Sequence, residues 1–258
     1  MYLLITPAVQ TFMHENGSCG VSNHSFSDGE TAMYKIYYSL AGVYLEAGQV
    51  NFKCTKTALG KKQTFHITAS GKTIPFYDHL YKVRDQYETF IDTASLLSYQ
   101  FTRSVSEGGT SKYENITFDR DAHTAITGTG VYEVPDCTQD VLGSLYYIRN
   151  ISVDKLKPGD KIDFELLLDG QLHKSYIRYM GKEIISTRYG KFHAIKIRPL
   201  LIKGTMFEEG EKMTVWVSDD DNHIPVRIQS SIKIGNVKAD LMEFSNLRWP
   251  FTSLISRR

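Results

Sequence analysis

Cysteine is scarce in this 258-residue chain. Its three residues, Cys19, Cys54 and Cys137, are too few and too widely spaced for a dense disulfide framework or a paired C-x-x-C zinc knuckle. One disulfide stays open to them, while Cys54 and Cys137 read most simply as small residues packed in or near a core. Long apolar runs are missing too: none approaches the roughly 20 residues that cross a bilayer as a helix. Neither charge dominates, with 30 Lys and Arg against 29 Asp and Glu. Because both signs are scattered along the chain, the footprint of a nucleic-acid or acidic-lipid binder is absent, and no nucleic-acid partner is expected.

Catalytic signatures are equally thin. There is no G-x-S-x-G elbow and no H-E-x-x-H or H-x-H among the eight histidines. "TGTG" before Val131 lacks the G-x-G-x-x-G spacing of a phosphate-cradling turn. The acidic run Asp219, Asp220, Asp221 raises the question of calcium. A calcium loop wants glycine at its sixth position and glutamate at its twelfth, and "DDDNHIPVRIQS" has Ile224 and Ser230 there. Asp and Asn between two alternating apolar stretches are expected instead to turn a β-hairpin. Glu208, Glu209 and Glu211 in "FEEGEK" have the composition of an exposed loop, although carboxylate pairs of the glycosidase kind meet in space and not in sequence. No catalytic residue, metal ligand or cofactor is assigned.

What the chain has in quantity is aromatic side chains, 16 Tyr and 13 Phe, set in segments that alternate with a period of two. In "TAMYKIYYSL" the residues Tyr34, Ile36, Tyr38 and Leu40 alternate with Met33, Lys35, Tyr37 and Ser39, as a half-buried strand requires. "KIDFELLLDGQLHKSYIRYMGKEIISTRYGKFHAIKIRPL" is cut by "DG", "GK" and "YGK" into a meander of hairpins. Pro225 cannot donate to a ladder, so its strand is expected to be bulged or at an edge. Two segments break the pattern. Phe76, Leu80, Val83, Tyr87 and Phe90 fall at helical spacing, predicting a helix to about Arg84 and a strand after it. Asp136 with Gln139 resembles a capping box opening a helix to about Arg149. The expected fold is mainly β: a large curved antiparallel sheet or incomplete β-barrel, a meander of roughly ten or more strands, with one or two short helices covering its concave face. Residues 1–28 are expected to be a flexible leader or signal remnant and 29–258 a single domain. "MYLLITPAV" has neither the basic start nor the longer apolar stretch of a secretory signal. "NGSCG" lacks the aliphatic residue a lipidation box needs before Cys19.

Three segments also resemble a known family. "GETAMYKIYYSLAGVYLEAG" at 29–48, "DVLGSLYYIRN" at 140–150 and "VWVSDDDNHIPVRIQ" at 215–229 are similar, in order, to the exported bacterial family called domain of unknown function 3108. That resemblance spans residues 29 to about 244. It implies export to the periplasm or outer envelope of a Gram-negative cell and a large antiparallel β fold, with no established activity to carry over. The missing signal then implies a removed or mis-started N-terminus, or a cytoplasmic member.

Candidate ligand-binding residues come from rings paired with guanidinium groups. They are Tyr81, Arg84 and Tyr87 in the first helix-like segment, Tyr146 and Arg149 in the second, and Trp216, which faces opposite to Val215 and Val217 and could line a cavity. The same groups could instead anchor helix to sheet. Three functions compete. The first is non-enzymatic binding of a lipid or other amphiphile in a curved-sheet cavity. The second is a solid-cored envelope protein that meets a protein partner through exposed aromatics and an edge strand near Pro225. The third is a glycan hydrolase.

Overall fold

Alternation of period two runs through most of the chain. In the computed structural model, which describes residues 19, 21–40, 43–202, 210–232 and 235–258, it becomes one fifteen-stranded antiparallel sheet. The first half is a meander of β1 (Thr31–Leu40), β2 (Val43–Leu59), β3 (Lys62–Thr73), β4 (Val83–Asp92), β5 (Ser98–Glu107), β6 (Thr110–Asp119), β7 (Thr124–Thr127) and β8 (Gly130–Glu133). The second comprises β9 (Lys161–Leu168), β10 (Gln171–Ser186), β11 (Gly190–Pro199), β12 (Met213–Ser218), β13 (Pro225–Ser231) and β14 (Asn236–Ser245), with β15 (Leu254–Arg257) added on β11. The halves join where β1 pairs with β14. The strand order ends at β8 on one side and β9 on the other, and the sheet does not close into a barrel.

The connection from β8 to β9 must therefore pass from one end of the strand order to the other. It carries α2 (Val141–Ile148), which packs on β3 and β4 of the first half and β9 of the second, so the sheet wraps around it. Register shifts at Met33/Tyr34, Ile36/Tyr37, Tyr179/Gly181 and Trp216/Val217 bend the strands for this curl. The curl brings Asp169, at the β9–β10 turn, onto Arg103 of β5 and Lys112 of β6. Its amide also donates to Glu114 Oε1 at 2.6 Å.

Helix α2 starts later than the Asp136–Gln139 spacing predicts. Asp136 instead pairs with His123 before the helix, and the cap is Asp140. Its Oδ1 accepts from Gly143 N at 2.7 Å while Oδ2 accepts from Thr89 Oγ1 at 2.6 Å. Burial raises the Asp140 carboxyl pKa, and these hydrogen bonds oppose that rise. A side chain at Gly143 would put its Cβ 2.6 Å from Ser98 Oγ, so only glycine lets the cap seat against β5. Leu142, Tyr146 and Tyr147 then bury into a cluster with Phe26, Ile67, Ile91, Phe101 and Ile116. Leu145 of the same helix is exposed.

The first predicted helix shrinks to one turn, α1 (Pro75–Asp78). Lys72 pairs with Arg84 in the β3–β4 ladder, so the segment from Val83 is committed to an extended backbone. Phe76 and Leu80, two of the residues at helical spacing, are 68% and 72% exposed. Of the expected leader, residues 1–18 and 20 lie outside the described residues. Cys19 is bonded to Cys137, so Cys137 is not the free packed residue expected, whereas Cys54 is free and buried. Phe26 is fully buried in the core.

The acidic run answers as a turn. It joins β12 to β13, with Asp220 Oδ1 accepting from Asn222 N at 3.1 Å and Ser218 Oγ at 2.8 Å, and Asp219 pairing with Lys182. The strand opened by Pro225 is bulged as expected, but it lies between β12 and β14 and is no edge.

Candidate functional site

The residues singled out by sequence fall in three separate places. Arg149, just past α2, is buried. It meets Glu30 through Nη1 and Nη2 at 2.6 and 2.9 Å, and donates to the carbonyls of Asn222 and Ser25. The rings of Phe26 and Tyr146 stand 5.5 and 5.2 Å from its guanidinium. Burial alone would lower the Arg149 pKa, and the Glu30 carboxylate more than restores it. Glu30, Arg149 and Asn222 come from the three segments that carry the family resemblance. Those segments therefore converge on a buried joint in which the Arg149 guanidinium is spent on internal partners. Glu30, the decisive partner, was missed in the sequence because it lies 119 positions from Arg149.

Tyr81, Arg84 and Tyr87 spread over a different region. Arg84 is held by Asp78, Nη2 to Oδ2 at 2.6 Å. Tyr81 lays its ring against Gly108, where a Cβ would come within 2.4 Å of Cε2. Tyr87 packs against the core beside Phe101, and burial pushes its hydroxyl up to about 12. Nearby Asp85 is half-buried. Burial raises its carboxyl to about 6, opposed by a hydrogen bond from Ser106 and helped by Glu107. A carboxyl whose native pKa exceeds its unfolded value stabilises the fold fully below the unfolded value and loses that contribution as pH rises to the native one. Between pH ~4 and ~6, stability should therefore fall by at most about 1 kcal/mol after solvent screening. Denaturant midpoints across that range should show this component in the wild type and not in Asp85→Asn.

Trp216 belongs to the third place. The strand registers place Lys196, Trp216, Arg227, Asp240 and Lys35 in one row across β11, β12, β13, β14 and β1. Two residues along each strand, Gln229, Lys238 and Tyr37 continue a second row, beside Thr214 and Arg198. Alternation puts both rows on one face. The intervening row, Ile197, Val215, Ile228, Ala239 and Ile36, packs into the core on the other. Five strands of scattered sequence thus yield a concentrated basic face. Arg227 is neutralised by Asp240 at 2.6 Å and Lys196 by Glu183 at 3.2 Å. Arg198 and Lys212 have no acidic partner among the described residues, and Arg198 Nε is buried without a hydrogen bond among them. Burial lowers the Lys238 pKa, and Arg227 and Arg188 lower it further against the pull of Asp240.

An open groove of roughly 220 Å³ runs across this face, lined by Lys196, Arg198, Lys212, Thr214, Trp216 and Gln229 among others. The Trp216 Nε1 donates to Glu183 at 2.5 Å, which fixes the indole. A second groove, roughly 360 Å³, crosses β1–β3 with Lys53 and Glu243 as its only charges. The sequence held the cations but not the register that collects them.

The profile of the family described as "Protein of unknown function (DUF3108)" matches residues 33–242. No curated protein matches the chain. Among solved structures, the β-barrel-like protein of domain of unknown function DUF1849 from Brucella abortus aligns with a TM-score of 0.55 at 10% identity, covering 89% of this chain and 100% of that one. It shares the fold. A chain from Parabacteroides distasonis, provisionally described as a lipoprotein, aligns at 12% identity over 87% of this chain and 100% of its own, with a TM-score of 0.38. A chain from Bacteroides fragilis, provisionally described as an exported protein with YmcC-like fold, aligns at 11% identity over 87% and 99%, with a TM-score of 0.34.

Proposed function

The chain belongs to the DUF3108 family of proteins of unknown function, and on that premise we propose that it is an exported, non-enzymatic binding protein that takes an anionic ligand on the outer face of β11–β14. The observation that carries this reading is the pair Arg198 and Lys212, unneutralised among the described residues, beside a fixed indole in an open groove. A guanidinium and an ammonium receive phosphate, sulfate or carboxylate groups. The Trp216 ring offers an apolar surface for the body of such a ligand. Export to the periplasm or outer envelope is supported by the Cys19–Cys137 disulfide, since such bonds persist in oxidising compartments. An apolar ligand in the concavity, the other reading, would have to displace α2 and the fully buried Phe26, Leu96 and Phe101 beneath it.

Titration calorimetry at low salt with inorganic pyrophosphate and with a uronic-acid oligosaccharide tests the proposal. Both should bind the wild type. Arg198→Ala with Lys212→Ala should weaken binding at least about tenfold, with the unfolding midpoint nearly unchanged because neither side chain is in the core. Trp216→Ala should weaken the saccharide selectively. A wild type that binds neither anion overturns the reading. Stoichiometric lipid released by organic extraction would restore the concavity.

A further inference from the structure

Five large apolar side chains stand exposed at one end of the molecule: Val43 (63%) and Leu45 (56%) at the start of β2, with Phe76, Leu80 and Tyr81 (41%) in and just after α1. The two segments lie at the same end, since α1 packs on β2 and Ile74 N donates to Ala47 O at 2.9 Å. None of them is used by the core clusters. An apolar group of this size on an otherwise alternating sheet marks a contact surface.

The charges around it select the contact. Two acids at this end are engaged by cations, Asp78 by Arg84 at 2.6 Å and Glu46 by Lys35 at 2.9 Å, while Asp85 and Glu107 lie near Tyr81. Lys72 and Lys82 flank the α1 turn. The basic face of β11–β14 also reaches the same end, where Lys238 Nζ lies 4.0 Å from the centre of the Tyr44 ring, between Val43 and Leu45 in the chain. Apolar and aromatic tips rimmed by lysine are what the interface of an anionic bilayer accepts: aliphatic and phenyl groups at the acyl boundary, tyrosine and ammonium groups among the headgroups.

We propose that this tip docks on an anionic phospholipid surface. Val43, Leu45, Phe76 and Leu80 enter the boundary, Tyr81 stays at headgroup depth, and Lys72 and Lys82 pair with phosphates. Evenly scattered charge in the sequence argues against acidic lipid. The fold overrules that by setting Lys72 and Lys82 beside this apolar tip. This docking does not depend on the anionic ligand proposed for the groove.

The test is co-sedimentation of the full chain with phosphatidylethanolamine vesicles containing phosphatidylglycerol, and with pure phosphatidylcholine vesicles. The wild type should partition onto the first and much less onto the second. Phe76→Ser with Leu80→Ser should lower partitioning at least about tenfold. Lys72→Glu with Lys82→Glu should abolish the preference for phosphatidylglycerol. All four positions lie outside the core clusters, and an unchanged melting curve checks that the variants fold. The Phe76, Leu80 variant should still bind pyrophosphate, and the Arg198, Lys212 variant should still sediment, so either reading can fail alone. A wild type that stays in the supernatant with both vesicles, or a Phe76, Leu80 variant that sediments like the wild type, overturns the proposal.

Discussion

Arg149→Ala should lower the free energy of unfolding by about 3–5 kcal/mol, read as a fall in denaturant midpoint at an unchanged m-value. The size follows from what remains behind. Glu30 is 2% exposed and receives two guanidinium hydrogen bonds. Without them its carboxylate sits uncompensated among Phe26, Tyr34 and Tyr146. The carbonyls of Ser25 and Asn222 lose their donor in the same step. Asn222 is itself fixed by Trp249 N at 2.9 Å, so the loss reaches the C-terminal segment as well as α2. Arg149→Lys keeps the charge without the planar fork and should fall between alanine and wild type. Replacing both partners, Arg149→Met with Glu30→Leu, should recover most of the loss, because no charge is then stranded. An Arg149→Ala midpoint within about 1 kcal/mol of the wild type would show that the joint contributes little beyond packing.

What the sequence disclosed and what it hid divide along the range of the interactions. Alternation is a local property, so the strands around Tyr34, Phe192 and Val226 and the hairpin turns at "DG" and Asp219–Asn222 were readable from short windows. Helical spacing of Phe76, Leu80, Val83, Tyr87 and Phe90 was also local, but it was coincidental. Every second one of the later residues also suits a strand, and the β3–β4 ladder decides between them. The start of α2 shows the same limit. Asp136 and Asp140 both had the chemistry of a cap, and the choice was made by Thr89 and Ser98, over 40 positions upstream of Asp140. Of the candidate residues, Trp216 lines the basic groove, while Arg198 and Lys212 escaped notice because nothing near them in sequence distinguishes them from other surface cations. Only register, a property of the four strands β11–β14 together, brings Lys196, Arg227 and Lys238 to their side.

Breaking the Cys19–Cys137 bond should produce the second large effect. The bond closes a loop of 118 positions. A cross-link of that span removes much of the unfolded chain's freedom, so Cys137→Ser, or reduction in dithiothreitol, should lower stability by about 3–5 kcal/mol. The native side of the equilibrium argues for the same sign. Tyr147 Oη donates to the Cys19 carbonyl at 2.8 Å, and the segment that follows carries Phe26 and Ser25 to the Arg149 joint. Releasing Cys19 therefore frees the strap that holds Arg149 from one side, and the cost of Cys137→Ser and of Arg149→Ala should be less than additive when combined. Cys54 supplies the control: burial pushes its thiol well above the ordinary range, so it neither exchanges with the disulfide nor reacts readily, and Cys54→Ala should cost only what a small core truncation costs, about 1 kcal/mol. Equal denaturant midpoints for oxidised and reduced protein would sink this expectation. They would also remove the disulfide as an argument for an oxidising compartment, because a bond that stabilises nothing gives the fold no reason to be made where thiols are oxidised.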